Sequence, residues 1–401
     1  MDMNKLDFSQ RNVAIDILRA LTMLLMIFVN DFWTVTEVPH WMQHSKSNVD
    51  FLGLSDVVFP CFLFVVGMSI PYAIERRFSK GFSELSTVMH ILTRSVALMI
   101  MGVFTVTTES SISREVGISM HVFTILMVAA FFMIWNVYPK TEKPVRHLYT
   151  VLKIIGVIIL IYLAIIFRDR NDGYMKAGWW GILGSIGWTY LVCAFVYLFC
   201  RNKISRIFFV WLGFIVLCMV KSSNIIPREA NIFNDILGIL RIGTGAHVAL
   251  TMGGILFSIV IVKFSHFDIK KKTIFFISIL AFLLIAAAVS NNFWIISKNR
   301  ATPPWVLYCS AVSVGIYGLL QWIVSKGKES WFNIIKPAGT ATLTCYLVPY
   351  VLYSIFWGFL SFSLPIWMKT GGVGLIKCTC YSFLCIGVTA LLGRINIKLK
   401  I

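Results

Sequence analysis

Apolar residues dominate this chain in runs that are long enough to cross a lipid bilayer. A transmembrane helix needs about 20 consecutive, mainly apolar residues. Twelve stretches meet this requirement, at residues 13–33, 55–75, 87–107, 118–137, 148–167, 179–200, 204–220, 246–262, 273–292, 303–324, 337–360 and 371–393. We therefore predict an all-α integral membrane protein of about twelve transmembrane helices, in which residues 1–401 form a single polytopic domain.

Composition excludes the class of soluble globular proteins. Of the 401 residues, 58% are hydrophobic and 13% are charged, whereas a soluble domain has about 25% charged residues. A single soluble core cannot bury so much apolar surface, but a bilayer is itself an apolar solvent. The first run is long and carries polar residues, so we interpret it as a permanent helix and not as a signal peptide.

Basic residues are distributed unequally between the two sides of the predicted bundle. Of the 36 Lys and Arg residues, 21 fall at the termini and in the connections on their side, 11 fall in the opposite connections, and four lie within spans. The positive-inside rule then places both termini in the cytoplasm. The formal net charge of +18 is spread between apolar runs, which indicates anionic lipid as the partner of the basic loops and argues against nucleic acid.

Cysteine usage predicts neither a metal centre nor a disulfide framework. The nine cysteines lie in or beside apolar runs, and their number is odd. The pair Cys378 and Cys380 is too isolated to define a ligand set. We expect the cysteines to act as small packing residues.

Polar residues gather at the predicted outer ends of the first two spans. Asn30 and Asp31 end the first span, and His40, His44 and Asp50 lie in the following loop. Ser55-Asp56 starts the second span, where we expect it to cap the helix. Histidine is the side chain best suited to accept a proton near neutral pH. These residues form our candidate catalytic cluster; solvated loop side chains are the structural alternative.

Arginines occur at the predicted cytoplasmic ends of the early spans. Arg19 follows Asp16 by three residues, Arg94 lies in the third span, and Arg76 and Arg77 follow the second. Charge inside a span costs several kcal/mol, on the order of 2.5–3.5 on insertion scales, and commonly marks function. These arginines are candidates for holding an anionic ligand; a local ion pair and snorkelling to the headgroups are the structural alternatives.

Two further polar clusters lie on the predicted outer side. Arg241 and His247 lie around the start of the eighth span, among glycines, and Lys298 and Asn299 precede Thr302-Pro-Pro. Glycine and proline there indicate either backbone that approaches a ligand or simple turns. We take these four residues as candidates for substrate binding.

Several segments resemble the heparan-α-glucosaminide N-acetyltransferase family, in particular its bacterial membrane acyltransferase branch. The resemblance is specific over residues 11–77 and patchy beyond. It is carried by AIDILRA at residues 14–20, MIFVN at 26–30, DVVFPCFLF at 56–64, KNRATPPW at 298–305 and GTATL at 339–343. It implies polytopic helices and a reaction in which cytoplasmic acetyl-CoA, the co-substrate, acetylates an amino sugar on the far side of the membrane.

The resemblance also implies a catalytic histidine in the first outer loop. In the family this histidine stands eleven residues after the asparagine of F-V-N, a spacing that falls on Trp41 here, between His40 and His44. His44 is nearer to the D-x-V-F-P aspartate and is our first choice as the general base, with His40 second. The large luminal domain of the lysosomal animal enzymes has no counterpart here, so we expect a multi-pass protein of the bacterial inner (plasma) membrane.

The residues suit acetyl transfer. His44 would act as base, Asn30 would donate to the developing oxyanion, and Asp31 or Asp56 would orient the imidazole. The expected partners are acetyl-CoA, an amino sugar or oligosaccharide acceptor, the lipid bilayer, and a second copy of the chain in a homodimer. A secondary transporter of a small solute and a membrane O-acetyltransferase of envelope glycans remain as alternatives.

Overall fold

The computed structural model describes residue 8 and residues 11–109, 117–139, 143–201, 203–223 and 232–401. Its α-helices are α1 (Val13–Asn30), α2 (Leu54–Ser79), α3 (Glu84–Thr107), α4 (Met120–Trp135), α5 (Lys143–Ile166), α6 (Gly181–Cys200), α7 (Ile204–Ser222), α8 (Ile232–Ile239), α9 (Ala246–Lys263), α10 (Ile269–Asn291), α11 (Pro303–Ser325), α12 (Phe332–Thr340), α13 (Thr342–Tyr353) and α14 (Gly371–Arg394). Within the described ranges, eleven helices are long and apolar enough to cross a membrane, and α4 is a shorter apolar helix. The prediction of an all-α, multi-pass membrane protein is confirmed.

The predicted eleventh span, at residues 337–360, departs most from a single continuous helix. The chain leaves helical geometry at Ala341, where φ is −126° and ψ is 45°, and the last turn, Ser354–Phe359, is a π-helix. Pro337 and Gly339, two residues of low helix propensity, lie in α12 just before the division between α12 and α13.

Membrane sidedness remains a prediction from charge. Four of the basic residues in the count, Lys5, Arg114, Lys140 and Arg228, lie outside the described residues. "Outer" and "cytoplasmic" below therefore refer to the sides that the positive-inside rule assigns.

The described residues cluster into two compact units. Unit 1 comprises Met1–Thr22, Pro39–Ser95 and Trp188–Phe332, as far as these ranges are described. Its centre is the packing of α2 on α9. A Cβ atom at Gly67 would lie 2.0 Å from the carbonyl oxygen of Thr251, so only glycine permits this approach of the two backbones. In the same unit α7 and α11 pack on α9, and α10 packs on α11.

Unit 2 comprises Met23–Val38, Val96–Gly187 and Asn333–Ile401, again as far as they are described. In it α4 packs on α5 and on α13, and α13 packs on α14. Buried side chains at these contacts include Phe123, Phe131 and Cys385. The helices α1, α3 and α6 each contribute residues to both units.

Candidate active site

The loop before α2 folds back over the start of that helix. The Ser55 hydroxyl donates to the carbonyl oxygen of Met42 at 2.6 Å, and a Cβ atom at Gly53 would lie 1.9 Å from the carbonyl oxygen of Gln43. Gly53 is the N-cap residue, and no side chain caps the helix there. The expectation that Ser55-Asp56 caps α2 is wrong, because both side chains bind the returning loop instead.

The carboxylate of Asp56 holds the imidazole of His44. Asp56 Oδ1 lies 2.7 Å from His44 Nδ1; the Asp56 side chain is 2% exposed and that of His44 is 53% exposed. A carboxylate accepts hydrogen bonds, so Nδ1 is assigned as the protonated nitrogen. The imidazole therefore has its Nε2 lone pair available on an exposed ring, which is the arrangement that a general base requires.

Asp56 is itself fixed by hydrogen bonds to its side chain and to its backbone. The backbone N–H of Ser45 donates to Asp56 Oδ2 at 2.8 Å, so both carboxylate oxygens are engaged. The indole N–H of Trp305, which is fully buried, donates to the backbone carbonyl of Asp56 at 3.0 Å. Helix α11 therefore anchors the residue that orients His44.

The segment between α10 and α11 brings a cation to the same place. Lys298 Nζ lies 3.4 Å from His44 Nδ1 and 3.5 Å from the carbonyl oxygen of Ser55, and the Asn299 amide donates to the carbonyl oxygen of Ser45 at 3.3 Å. Burial lowers the pKa of Lys298 from its ordinary value, and the carboxylate of Asp56 opposes that shift. One residue predicted to bind substrate, Lys298, thus lies beside the predicted base, and a second, Asn299, contacts the residue that follows it.

Asp50 fastens the histidine loop to that segment. Its Oδ1 accepts the backbone N–H of Ile296 at 2.7 Å, and its Oδ2 accepts the Asn291 amide at 3.4 Å. The sequence placed Asp50 in the outer polar cluster but indicated no role for it, because its partners lie more than 240 residues away.

The remaining outer candidates take different positions in unit 1. His40 is exposed, and its ring centroid lies 4.7 Å from that of Phe51. His247, at the start of α9, is half-buried and contacts the rings of Phe59 and Trp305, at centroid distances of 5.5 and 6.1 Å. Arg241 is exposed and has a positive φ of 52°. His247 is linked to Asp56 through Trp305, which contacts both residues.

Asn30 and Asp31 belong to unit 2. Asn30 is the exposed last residue of α1. Asp31 is fully buried, and it accepts hydrogen bonds from Lys377 Nζ at 2.7 Å and from the Tyr353 hydroxyl at 2.6 Å. Lys377 was known from the sequence only as a cation within a span. Its buried partner could not be inferred, because the two are 346 residues apart.

The cytoplasmic half of unit 1 contains Arg19 and Arg94. Arg19 donates to Ser69 Oγ at 2.6 Å and to Asp16 Oδ1 at 3.3 Å. The guanidinium of Arg94 lies 4.8 Å from the ring centroid of Tyr190. Its Nε is buried and has no hydrogen-bond partner within the described chain. A cation with an unsatisfied donor can bind an anion.

The arginines at the end of α2 differ from each other. Arg77 donates to the carbonyl oxygen and the hydroxyl of Ser86 at 3.2 and 3.1 Å, and its guanidinium lies 4.5 Å from the Phe82 ring centroid. Arg76 is exposed. Sequence reasoning missed Arg201, which binds Glu75 through two hydrogen bonds of 2.6 Å. This pair ties the C-terminal end of α6 to α2.

The fold and this site define a class: a multi-pass membrane protein with a carboxylate-oriented histidine at one end of its helices. The chain belongs to the family described as "Domain of unknown function (DUF5009)", whose profile matches residues 11–239. It is also similar to heparan-alpha-glucosaminide N-acetyltransferase of Mus musculus, with 33% identity over 97 residues. That match covers 23% of this chain and 13% of the mouse protein.

Proposed function

We propose that the protein is a transmembrane acetyltransferase that moves an acetyl group from cytoplasmic acetyl-CoA to an amino sugar or glycan on the outer, periplasmic side. The observation that carries this proposal is the 2.7 Å contact between buried Asp56 and exposed His44. Such a pair keeps one imidazole nitrogen free to accept a proton, while the carboxylate stabilises the imidazolium that forms. The similarity to a mouse N-acetyltransferase supports the same reaction class.

The proposed chemistry is acyl transfer to an amine. The amine nitrogen of the acceptor attacks the thioester carbonyl carbon, and His44 Nε2 accepts the proton that the amine loses. The C–S bond then breaks, and the CoA sulfur takes the proton from the imidazolium. The products are an amide and free CoA thiol, so atoms and charge balance. A hydroxyl acceptor would follow the same steps, which keeps O-acetylation of envelope glycans as the neighbouring alternative.

Lys298 is proposed to stabilise negative charge as it develops on the thioester oxygen. Its ammonium lies beside the imidazole, and a positioned cation stabilises negative charge that develops on an oxyanion. Asn299 and His247 are proposed to shape the acceptor side, and Arg241 to contact the acceptor at the exposed edge.

The donor is proposed to bind through the cytoplasmic arginines. Acetyl-CoA carries several phosphates, and arginine binds phosphate in a planar, bidentate manner. Arg94, with its unsatisfied Nε, and Arg19 are the proposed inner contacts. Arg76 and Arg77, at the end of α2, are the proposed peripheral contacts. The bacterial inner membrane, with acetyl-CoA on its cytoplasmic side, is the proposed location.

Mass spectrometry of reaction products tests the proposal. Purified protein is incubated with [13C]acetyl-CoA and a panel of amino sugars and neutral sugars, and the products are compared between wild type and His44→Ala. We expect labelled N-acetyl sugar from wild type alone. No labelled product from folded wild-type protein, together with uptake of a solute into liposomes, would instead establish the transporter alternative.

A further inference from the structure

A cavity opens on the outer side of unit 1, beside the segment that carries Lys298. Its volume is about 1000 Å³, at the upper end of the range of small-molecule sites. It is lined mainly by the end of α7, by α8 and by the α10–α11 segment, including Lys221, Thr244, Phe293, Trp294 and Arg300. None of the described lining residues is acidic.

The cavity and the histidine site share one short segment of chain. Arg300 and Thr302 line the cavity, whereas Lys298 and Asn299, immediately before them, contact His44 and the Ser45 carbonyl. A ligand in the cavity would therefore lie against residues that directly follow, along the chain, those in contact with His44 and its neighbour Ser45. This placement suits the acceptor of a transfer reaction.

The chemistry of the lining suits a sugar with an acidic group. Trp294 is held in place, because its indole N–H donates to Ser223 Oγ at 3.2 Å, and a fixed aromatic face packs against the C–H face of a pyranose ring. The Arg300 side chain is exposed, and a guanidinium binds phosphate or carboxylate through parallel hydrogen bonds. Lys221, which donates to the Asn234 amide oxygen, adds positive charge.

We infer that this cavity binds the acceptor and selects amino sugars that carry an acidic group, with Arg300 on the acid and Trp294 on the ring. The inference rests on the proposed function only where it identifies the bound sugar as the acceptor, because binding of the sugar is measurable without the donor. No residue of the cavity reacts in this scheme. The cavity determines which sugar is presented to His44.

Binding measured without acetyl-CoA tests the inference directly. The probes are glucosamine, glucosamine 6-phosphate, muramic acid and inorganic phosphate, titrated into purified wild-type protein at one fixed ionic strength. We expect tighter binding of the two acidic amino sugars than of glucosamine. The comparison between phosphate and carboxylate probes identifies which acid the site prefers. Inorganic phosphate binding as tightly as the sugar phosphate would reduce the cavity to a simple anion site and overturn the inference.

Substitutions at two cavity residues test whether Arg300 binds the acid and Trp294 binds the sugar ring. Arg300→Gln should weaken binding of the acidic sugars by about tenfold or more, the cost of losing a charge-assisted hydrogen bond, and should leave glucosamine binding within about twofold. Trp294→Ala should weaken binding of all the amino sugars, whereas Trp294→Phe should keep most of the wild-type affinity. Arg170→Gln and Trp367→Ala are matched controls, since both residues are exposed on the predicted outer side and neither lines the cavity.

The outcomes separate this inference from the proposed function. If Arg300→Gln and Arg170→Gln lose equal affinity for the acidic amino sugars, the effect comes from the overall charge of the protein, and the assignment of the cavity is wrong. If Trp294→Ala acetylates glucosamine as fast as wild type does, the acetyltransferase proposal stands and the assignment of the cavity to the acceptor is wrong. Binding of acidic sugars through Arg300 without any acetylation would support the cavity and contradict the acetyltransferase proposal.

Discussion

Two buried aspartates at the outer ends of helices have opposite surroundings. Asp56 in unit 1 is bound to the half-exposed ring of His44. Asp31 in unit 2 is fully buried and bound to Lys377, a side chain that is itself largely buried. The Asp31 carboxylate also accepts hydrogen bonds from Tyr353 and Thr34. One carboxylate orients a group that can exchange protons with solvent, whereas the other is neutralised inside the protein.

This difference changes the roles expected of the two residues. A buried ion pair that satisfies its own hydrogen bonds fixes packing and costs stability when one partner is removed. A buried carboxylate against an exposed histidine instead sets the tautomer and orientation of a base. We therefore propose Asp56 as the residue that positions the catalytic base, and Asp31 as a structural residue of unit 2.

The largest effect is expected at His44. His44→Ala should lower turnover by about 10²–10⁴-fold, the usual cost of losing a general base, while acetyl-CoA still binds. His40→Ala should cost about tenfold or less, because His40 packs on Phe51 and shapes the loop. Steady-state kinetics and donor titration of both variants measure the difference. A reversed order of the two losses would transfer the role of base to His40.

A large effect on stability is expected at Asp31. Asp31→Ala leaves the Lys377 charge buried without its partner, at a cost of about 3–5 kcal/mol in the free energy of unfolding. The double variant Asp31→Ala/Lys377→Met should recover much of that loss, because no charge remains buried there. Denaturant unfolding in detergent measures both. A single variant as stable as wild type would show that the pair does not hold unit 2 together.

An intermediate effect is expected at the cytoplasmic arginines. Arg94→Ala should weaken acetyl-CoA binding by about tenfold or more through the loss of a charge-assisted hydrogen bond. The matched control is Arg146→Ala, an exposed residue on the same predicted side. Calorimetric titration with acetyl-CoA measures both affinities. Equal affinity in Arg94→Ala and wild type would assign Arg94 to packing against Tyr190.

The smallest effect is expected in how kcat/KM depends on pH through the charge of Lys298. Burial lowers its pKa, so wild type loses this cation below the pH at which an ordinary lysine, with a pKa of about 10.4, would lose it. Lys298→Arg keeps its charge at every accessible pH. The ratio of kcat/KM between Lys298→Arg and wild type should therefore rise as the pH becomes alkaline. Parallel pH profiles would mean that the charge of Lys298 is not used.

The fold was predictable because each span carries its own hydrophobic run. The bounds of α2, α3 and α11 follow within a few residues from the apolar pattern, since lipid imposes length and composition on every helix separately. The division at Ala341 was missed, because a proline or glycine in a run does not say whether the helix kinks or breaks.

The site was predictable only in part. His44 and Asp56 are twelve residues apart, so a short loop could bring them together, and the motif around Asp56 drew attention to them. Lys298 was identified as a candidate, but its contact with His44 spans 254 residues and depends on how α10 and α11 pack. For the same reason neither Asp50 nor the pair of Asp31 and Lys377 could be assigned from the sequence.

Acetyl transfer across a bilayer by purified protein tests the central claim most directly. Wild type and His44→Ala are reconstituted in liposomes of sorted orientation, with [13C]acetyl-CoA on one side and glucosamine on the other, and products are identified by mass spectrometry. The account predicts labelled N-acetylglucosamine from wild type only when the donor faces the N-terminal side and the acceptor the opposite side. Equal product from either arrangement, or from His44→Ala, would contradict it.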